Sequence, residues 1–140
     1  MPQDNEQRLL QNLELVAQAD YLVISSHRVY GVIARQPERF PLSSQFHQLL
    51  FRGDLGYELV YSQTRLPHLG NFYLRWDTFT WAELTPPAQI ANDMNALPGL
   101  NFGRADESFT VYDQPLPMIF ANVAHLTPEE LKALFVIPAE

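Results

Sequence analysis

The sequence predicts one small domain of the α/β or α+β class, with a small mixed sheet flanked by about three helices in a three-layer-like arrangement. Helical and strand-like apolar patterns alternate through the first half of the chain, and a strand-like run followed by a helix start closes it. With 140 residues, of which 46% are hydrophobic, the chain is long enough for one core. We therefore expect residues 1–140 to form a single domain.

The first elements follow from residue spacing. Asp4 and Gln7 match a capping box, and apolar residues recur behind them at helical spacing, which predicts a helix over residues 4–18. The short apolar run Tyr21–Ile24 predicts a buried strand. We interpret Val29–Ala34 as a second extended stretch.

A helix and a strand are expected next. Prolines bracket a loop at Gln36–Pro41, after which Ser43 or Ser44 is expected to cap a helix. Gly53 stands where a helix ends on a glycine. The alternation over Tyr57–Tyr61 is typical of a strand.

The middle of the chain, residues 64–104, predicts an irregular, aromatic-rich hairpin insertion. Alternating residues over Phe72–Trp76 indicate a strand, and Phe79–Leu84 is expected to pair with it. Asn92–Gly103 shows little pattern, so we expect a mobile loop there.

The last part predicts a hairpin and a helix. Phe109–Tyr112 and Met118–Ala121 are strand-like runs separated by a proline-containing turn. Thr127 followed three residues later by Glu130 is a capping box, with a proline at the first helical position.

Composition excludes several kinds of site. The chain has no cysteine, which rules out disulfides and thiolate ligands, and its four histidines lack metal-motif spacing. We therefore expect no metal and no cofactor. The net charge of −7 arises in residues 53–140 without any basic stripe, so nucleic acid is not expected as a partner.

No apolar run approaches the roughly 20 residues of a membrane helix. Residues 1–8 also lack the features of a signal peptide. A cytoplasmic location is therefore expected if the native chain starts at Met1.

A polar segment directly after the first strand is a candidate ligand site. Ligands gather at the carboxyl ends of strands in open sheets, and hydroxyl, imidazole and guanidinium groups suit a phosphate or a sugar. The candidate residues are Ser25, Ser26, His27 and Arg28, with Arg35 and Arg39 close in sequence. The alternative is that the serines cap backbone groups and Arg28 pairs with a carboxylate such as Asp20.

The aromatic cluster offers a second candidate, in which Trp76 and Trp81 bind a sugar or a protein. The alternative is that these rings pack in the core. No nucleophile elbow, phosphate-binding glycine loop or zinc-protease motif is present, so no catalytic residue is predicted.

Two segments, Ala19–Val60 and Ala105–Phe120, resemble the C-terminal portion of bacterial membrane glycosyltransferases of the dolichyl-phosphate-mannose and protein O-mannosyltransferase-like family. The words ADYLVISSHR, RQPERFP, LGYELV and ESFTVYD, in this order, carry the resemblance, which covers 58 of the 140 residues, and the terminal LTPEELKALF also matches. His27 and Gln114 depart from the family pattern, where Asn and His are expected.

The resemblance implies an accessory domain on the extracytoplasmic face of the cytoplasmic membrane. The family's catalytic residues lie near membrane helices, so none can be carried over to this chain. The resemblance adds Tyr30 to the candidate residues at the matched positions. It implies that these residues contact the acceptor or the lipid-phosphate-sugar donor, or that they are residues characteristic of the fold itself. A membrane-embedded glycosyltransferase segment or a glycan is the expected partner.

Two other functions stay open. A stand-alone module that binds carbohydrate or protein would expose aromatic rings in the region 72–81. A small hydrolase or transferase would need a cleft with a nucleophile and a base, or a pair of carboxylates, within reach of each other.

Overall fold

The computed structural model describes residues 4–79, 83–104 and 116–137, and within them it contains five helices and two three-stranded sheets. The helices are α1 (Glu6–Gln18), α2 (Arg28–Gly31), α3 (Pro41–Arg52), α4 (Ala88–Ala96) and α5 (Pro128–Ala133). The strands are β1 (Tyr21–Ile24), β2 (Tyr57–Ser62), β3 (His68–Leu69), β4 (Phe72–Asp77), β5 (Gly99–Arg104) and β6 (Met118–Asn122). The predicted class is confirmed as a small α+β domain, with more helices and sheets than expected.

Sheet A has the strand order β1-β6-β2 and is antiparallel throughout. The central strand β6 turns Met118 and Phe120 into the core. The prediction that β1 is a buried strand is wrong, because β1 lies at the sheet edge with Tyr21 and Val23 exposed. Both edges of β6 are occupied; residues 109–112, expected to form a hairpin with it, lie outside the described residues.

Sheet B has β4 at its centre, antiparallel to β3 and parallel to β5. The expected strand β4 is confirmed, and its described partners are β3 and β5; of its expected partner Phe79–Leu84, residues 80–82 lie outside the described residues. The loop expected over Asn92–Gly103 is wrong. The end of α4 and most of β5 occupy it, because Ile90 and Met94, four residues apart, give α4 a face to pack.

Helix α1 begins two residues later than predicted, and the expected capping box is wrong. Asn5 is the N-cap, and its Oδ1 accepts a hydrogen bond from the Arg8 amide at 2.9 Å. The Asp4 carboxylate instead accepts from the amides of Leu42 and Ser43 at 2.8 and 3.1 Å. It thereby caps α3, which starts at Pro41 and not after a serine cap.

The extended conformation expected for Val29–Ala34 is wrong. Helix α2 occupies Arg28–Gly31, and helical turns continue until the Ala34 amide donates to the Tyr30 carbonyl. The buried His27 ring lies against Gly31 so closely that any side chain there would collide with it. Tertiary packing of His27 and Tyr30 therefore overrides the β propensity of the valines and isoleucine.

Other local predictions are confirmed. Gly53 ends α3 in the left-handed conformation, and β2 covers the alternating segment. The Thr127 hydroxyl accepts from the Glu130 amide while the Glu130 carboxylate accepts from the Thr127 amide, which completes the capping box of α5.

One core joins α1, α3, α5, sheet A and the segment that follows β4. Phe51 stacks on Phe120 at a centroid distance of 6.0 Å, and Phe79 meets Phe51 edge-on at 5.7 Å. The described helices include none with the length and apolar character needed to cross a membrane.

Candidate functional site

A pocket of about 200 Å³ opens where the carboxyl end of β4 meets α4 and β5. This is larger than the roughly 150 Å³ cavity that suffices for a benzene ring. Its apolar lining includes Leu66, Phe79, Ile90, Met94 and Leu116, and its polar lining consists of Thr64, Asp77, Thr78, Asn95 and Asn101. Mostly apolar walls with a few polar groups are typical of small-molecule sites.

Trp76 is one of the aromatic residues that line this pocket. Its indole stacks on Phe102 with the ring planes 23° apart and the centroids at 5.7 Å. The parallel pairing of β4 with β5 places these two residues on the same side of sheet B. The stacking fixes the indole plane, so a ligand would meet a preformed surface.

The polar side of the pocket is ordered by short hydrogen bonds. The Asp77 carboxylate accepts from the Phe79 amide at 2.8 Å, and the Asn101 side-chain oxygen accepts from the Gly103 amide at 2.8 Å. A carboxylate accepts hydrogen bonds only, whereas an amide side chain both donates and accepts them. Of the described residues that line the pocket, Asp77 is the one with a titratable side chain.

Arg75 joins the two elements that form the pocket walls. Its Nη1 donates to the Met94 carbonyl at 2.6 Å, and its Nη2 donates to the Gly99 carbonyl at 3.2 Å. The guanidinium therefore connects the last turn of α4 to the start of β5. Because Arg75 lies on β4, all three elements are held in one arrangement.

Tyr30 lies behind the pocket wall. Its ring is fully buried and stacks on Phe79 with the planes 11° apart. Burial raises the pKa of the Tyr30 hydroxyl, with the Asp77 charge as a smaller cause, so the hydroxyl stays protonated. Thr78, a lining residue, also lies beside this hydroxyl, so the wall of the pocket rests directly on the core.

The structure does not bring the sequence-predicted residues 25–39 together in a pocket. His27 and Tyr30 are buried, with their rings edge-to-face at 5.1 Å. The Ser26 hydroxyl accepts from the Arg28 amide, and Ser25 and Arg28 are exposed. None of these five residues lines either of the two pockets described here.

The two remaining arginines of that group make local contacts. Arg35 donates from Nε to the Gly31 carbonyl at 2.6 Å, and the Arg39 guanidinium lies over the Phe40 ring at 5.2 Å. These contacts stabilise the turn that leads into α3. Contact of these residues with a ligand stays a prediction.

Among the predicted site residues, Trp76 lines the pocket, whereas Trp81 lies outside the described residues. Sequence reasoning missed Asn95 and Asn101, because it treated the region of α4 and β5 as a loop, and it missed Asp77, which ends β4. The helical spacing of Ile90 and Met94 after two prolines is the signal that would have found this wall.

A second pocket of about 480 Å³ lies between α1 and α3. His47 lies in its floor, where its Nδ1 donates to the Ser43 carbonyl at 2.8 Å. Burial lowers the pKa of His47, which favours the neutral ring. Asp4 and Ser43 at the rim bond to each other and cap α3, so their polar groups serve the fold.

Among residues 4–79, 83–104 and 116–137, no three or more histidine or acidic side chains cluster as a metal site would require. Comparisons with protein-family models, curated proteins and solved structures find no match to this chain.

Proposed function

We propose that this chain is a binding domain that takes one sugar ring, such as the end of a glycan, in the pocket beside Trp76. The observation that carries the proposal is that Trp76, whose indole stacks on Phe102, lines one pocket together with Asp77, Asn95 and Asn101. A pyranose has an apolar face of C–H groups and an equator of hydroxyls. The indole suits the face, and the carboxylate and amides suit the hydroxyls.

The size of the pocket fits this ligand class. About 200 Å³ accommodates one ring but not a compact oligosaccharide, so further sugar units would extend into solvent. A ligand of this size gains limited binding energy per atom, and we expect dissociation constants on the order of 1 mM for a monosaccharide. An extended glycan that also contacts the rim would bind more tightly.

A glycan array followed by calorimetric titration tests the proposal. Trp76→Ala should weaken binding at least about tenfold, because it removes the stacking surface. Phe72→Ala is the matched control: it removes another ring from β4, but Phe72 does not line the pocket. Equal affinity of the wild type and Trp76→Ala, or no binding to any glycan, would contradict the proposal.

A second pair of variants tests the polar side. Asn95→Ala should weaken binding several-fold, whereas Asn92→Ala should not, since both are exposed on α4 but only Asn95 lines the pocket. Equal losses from the two variants would indicate a general effect on α4 and would count against specific recognition by Asn95.

The resemblance to membrane glycosyltransferases supports a wider proposal. In it, this chain is an accessory domain at the extracytoplasmic face of the cytoplasmic membrane, and the sugar held beside Trp76 belongs to the acceptor or the lipid-phosphate donor. The word RQPERFP supports it, although the turns and contacts at Arg35 and Arg39 also serve the fold. The word ESFTVYD lies outside the described residues.

The wider proposal is tested on the gene and at the membrane. The genomic DNA upstream of Met1, or a neighbouring gene, should encode several membrane-spanning helices, and the native protein should co-purify with that membrane partner. A native chain that starts at Met1 and shows no such partner would refute it, while the sugar-binding proposal would stand on its own titrations.

A further inference from the structure

Sheet B has one apolar face that no described part of the chain covers. Register places its residues on the same side, because Leu69 pairs with Phe72 and Leu74 pairs with Leu100. The relative exposures are 87% for Leu69, 48% for Phe72, 55% for Leu100 and 56% for Phe102, and Leu74 is half-buried among them. We call Leu69, Phe72, Leu74, Leu100 and Phe102 the apolar face.

The opposite side of the sheet is the covered one. Arg75 points there and reaches the last turn of α4 through the Met94 carbonyl. Residues of sheet B therefore face α4 on one side and solvent on the other, and Trp76 lies on the solvent side, where it stacks on Phe102. Exposed apolar patches of a few hundred Å² are often binding surfaces, so we expect another molecule to bind to the apolar face.

We propose that the apolar face is the interface of a symmetric dimer of this chain. Scaled by the area that side chains of this size can bury, the exposed fractions amount to roughly 400–500 Å² of apolar surface. A standard interface buries about 800 Å² per partner, and somewhat more than half of it is apolar. The apolar face therefore supplies about the apolar part of the area that one side of a stable dimer needs.

Charge also favours a second copy on this face. Its five side chains are uncharged, so two copies meet without burying a charge or opposing like charges. The exposed side of sheet A lacks this property, because Glu58 stands in register with Ala121 and Tyr21 there. The edge strand β3 has only two residues, so this edge of sheet B offers little backbone for strand pairing.

Sedimentation velocity over a range of concentrations tests the dimer. The wild-type protein should associate reversibly, and Phe72→Ser and Leu100→Ser should each raise the dimer dissociation constant at least about tenfold. Leu69→Lys, at the most exposed position, should do the same, because it would place a charge in the apolar interface. Circular dichroism melts of each variant establish that it is folded.

Val23→Ser is the matched control, since the exposure of Val23, 65%, lies within the range of the three test positions but Val23 is on sheet A. It should leave the dimer unchanged. Higher salt should strengthen the dimer, because each copy carries a net charge of −7 that salt screens. A protein that is monomeric at its highest soluble concentration, or a dimer that survives Phe72→Ser, Leu100→Ser and Leu69→Lys, overturns the proposal.

The apolar face and the sugar pocket meet at the stacked Trp76–Phe102 pair, and variants that avoid this pair test the two surfaces separately. Asn95→Ala should reduce sugar binding and keep the dimer, whereas Leu69→Lys should abolish the dimer and keep sugar binding. Loss of both properties in either variant would show that the two surfaces are one site and would overturn the assignment of the apolar face to a second copy alone.

Discussion

Sheets A and B each have three strands, but sheet A contributes buried residues to the core and the described side chains of sheet B do not. Sheet A turns Tyr57, Met118 and Phe120 inward, each with at most 2% of its surface exposed. In sheet B, no residue with a described side chain is buried, and the core contacts of this region come from Phe79, Leu84 and Ile90, which flank the strands. Sheet A therefore supplies core residues, whereas the described side chains of sheet B are exposed or half-buried.

The difference shows where function can be located in a small domain. A sheet that supplies the core cannot change its inward residues without loss of stability. A sheet held through its flanking helix and loops is free to expose aromatic and apolar side chains at little cost. The pocket and the apolar face both belong to sheet B, which agrees with this division.

The largest expected difference between the sheets comes from removing one phenylalanine from each. Phe120→Ala should lower the free energy of unfolding by about 3–5 kcal/mol, because it leaves a cavity beside Phe51. Phe102→Ala should change it by less than about 1 kcal/mol, since that ring is largely exposed. Urea unfolding of the monomer measures both values. Similar losses would refute the division between the sheets.

The second prediction concerns the internal order of sheet B. Gly99 has a φ of +154°, and a side chain there would collide with the Tyr73 carbonyl. Gly99→Ala should lower the free energy of unfolding by about 1–3 kcal/mol. It should also increase amide hydrogen exchange in β4 and β5, while the amides of β6 stay protected.

Gly103→Ala is the matched control for that variant. Gly103 lies on the same strand with a φ of +72°, but nothing lies near its Cβ position. Gly103→Ala should lower the free energy of unfolding by only about 1 kcal/mol, the cost of a side chain in the left-handed backbone conformation. If exchange in β6 rises together with that in β4 after Gly99→Ala, the two sheets form one cooperative unit.

The third prediction concerns how sheet A holds α1. The Tyr57 hydroxyl donates to the Val16 carbonyl at 2.6 Å and lies 2.8 Å from the Ala19 carbonyl. Tyr57→Phe leaves these carbonyls without that donor and should cost about 1–2 kcal/mol in urea unfolding. Tyr73→Phe, on half-buried Tyr73 of sheet B, should cost less than about 0.5 kcal/mol. An equal cost for both would contradict the comparison.

The smallest expected effect depends on pH. Burial holds the pKa of His47 below its ordinary value of 6.5, so the unfolded chain binds a proton more readily than the folded one. The stability due to neutral His47 is therefore complete above pH 6.5 and decreases as the pH falls towards the folded pKa, with a slope of at most about 1.4 kcal/mol per pH unit.

Unfolding at several pH values between neutrality and mild acid measures that slope. His47→Gln should remove the contribution of His47, whereas His68→Gln, on the exposed edge of sheet B, should keep it. A slope that persists in His47→Gln would show that another group is responsible.

Much of the local structure was predictable because its signals lie within a few residues. The Thr127–Glu130 capping box, the Gly53 helix end and the alternation in β2 and β4 were all interpreted correctly. Helix α2 was wrongly interpreted as an extended stretch, because it depends on the packing of His27 against Gly31 and of Tyr30 against Phe79. Of the site, only Trp76 was identified, since its partners come from α4 and β5.

The sequence by itself determined the fold class, most strand positions and the helix ends whose caps are local. The tertiary structure decided which strands pair and which carboxylate caps α3. It also decided that Trp76 lines a pocket while Tyr30 lies in the core. The physical reason is range: propensity and capping act within one or two turns, whereas Asp4 caps a helix 38 residues away and β5 pairs with β4 across an intervening helix. Contacts between residues so far apart in the chain produce no periodic pattern in the sequence.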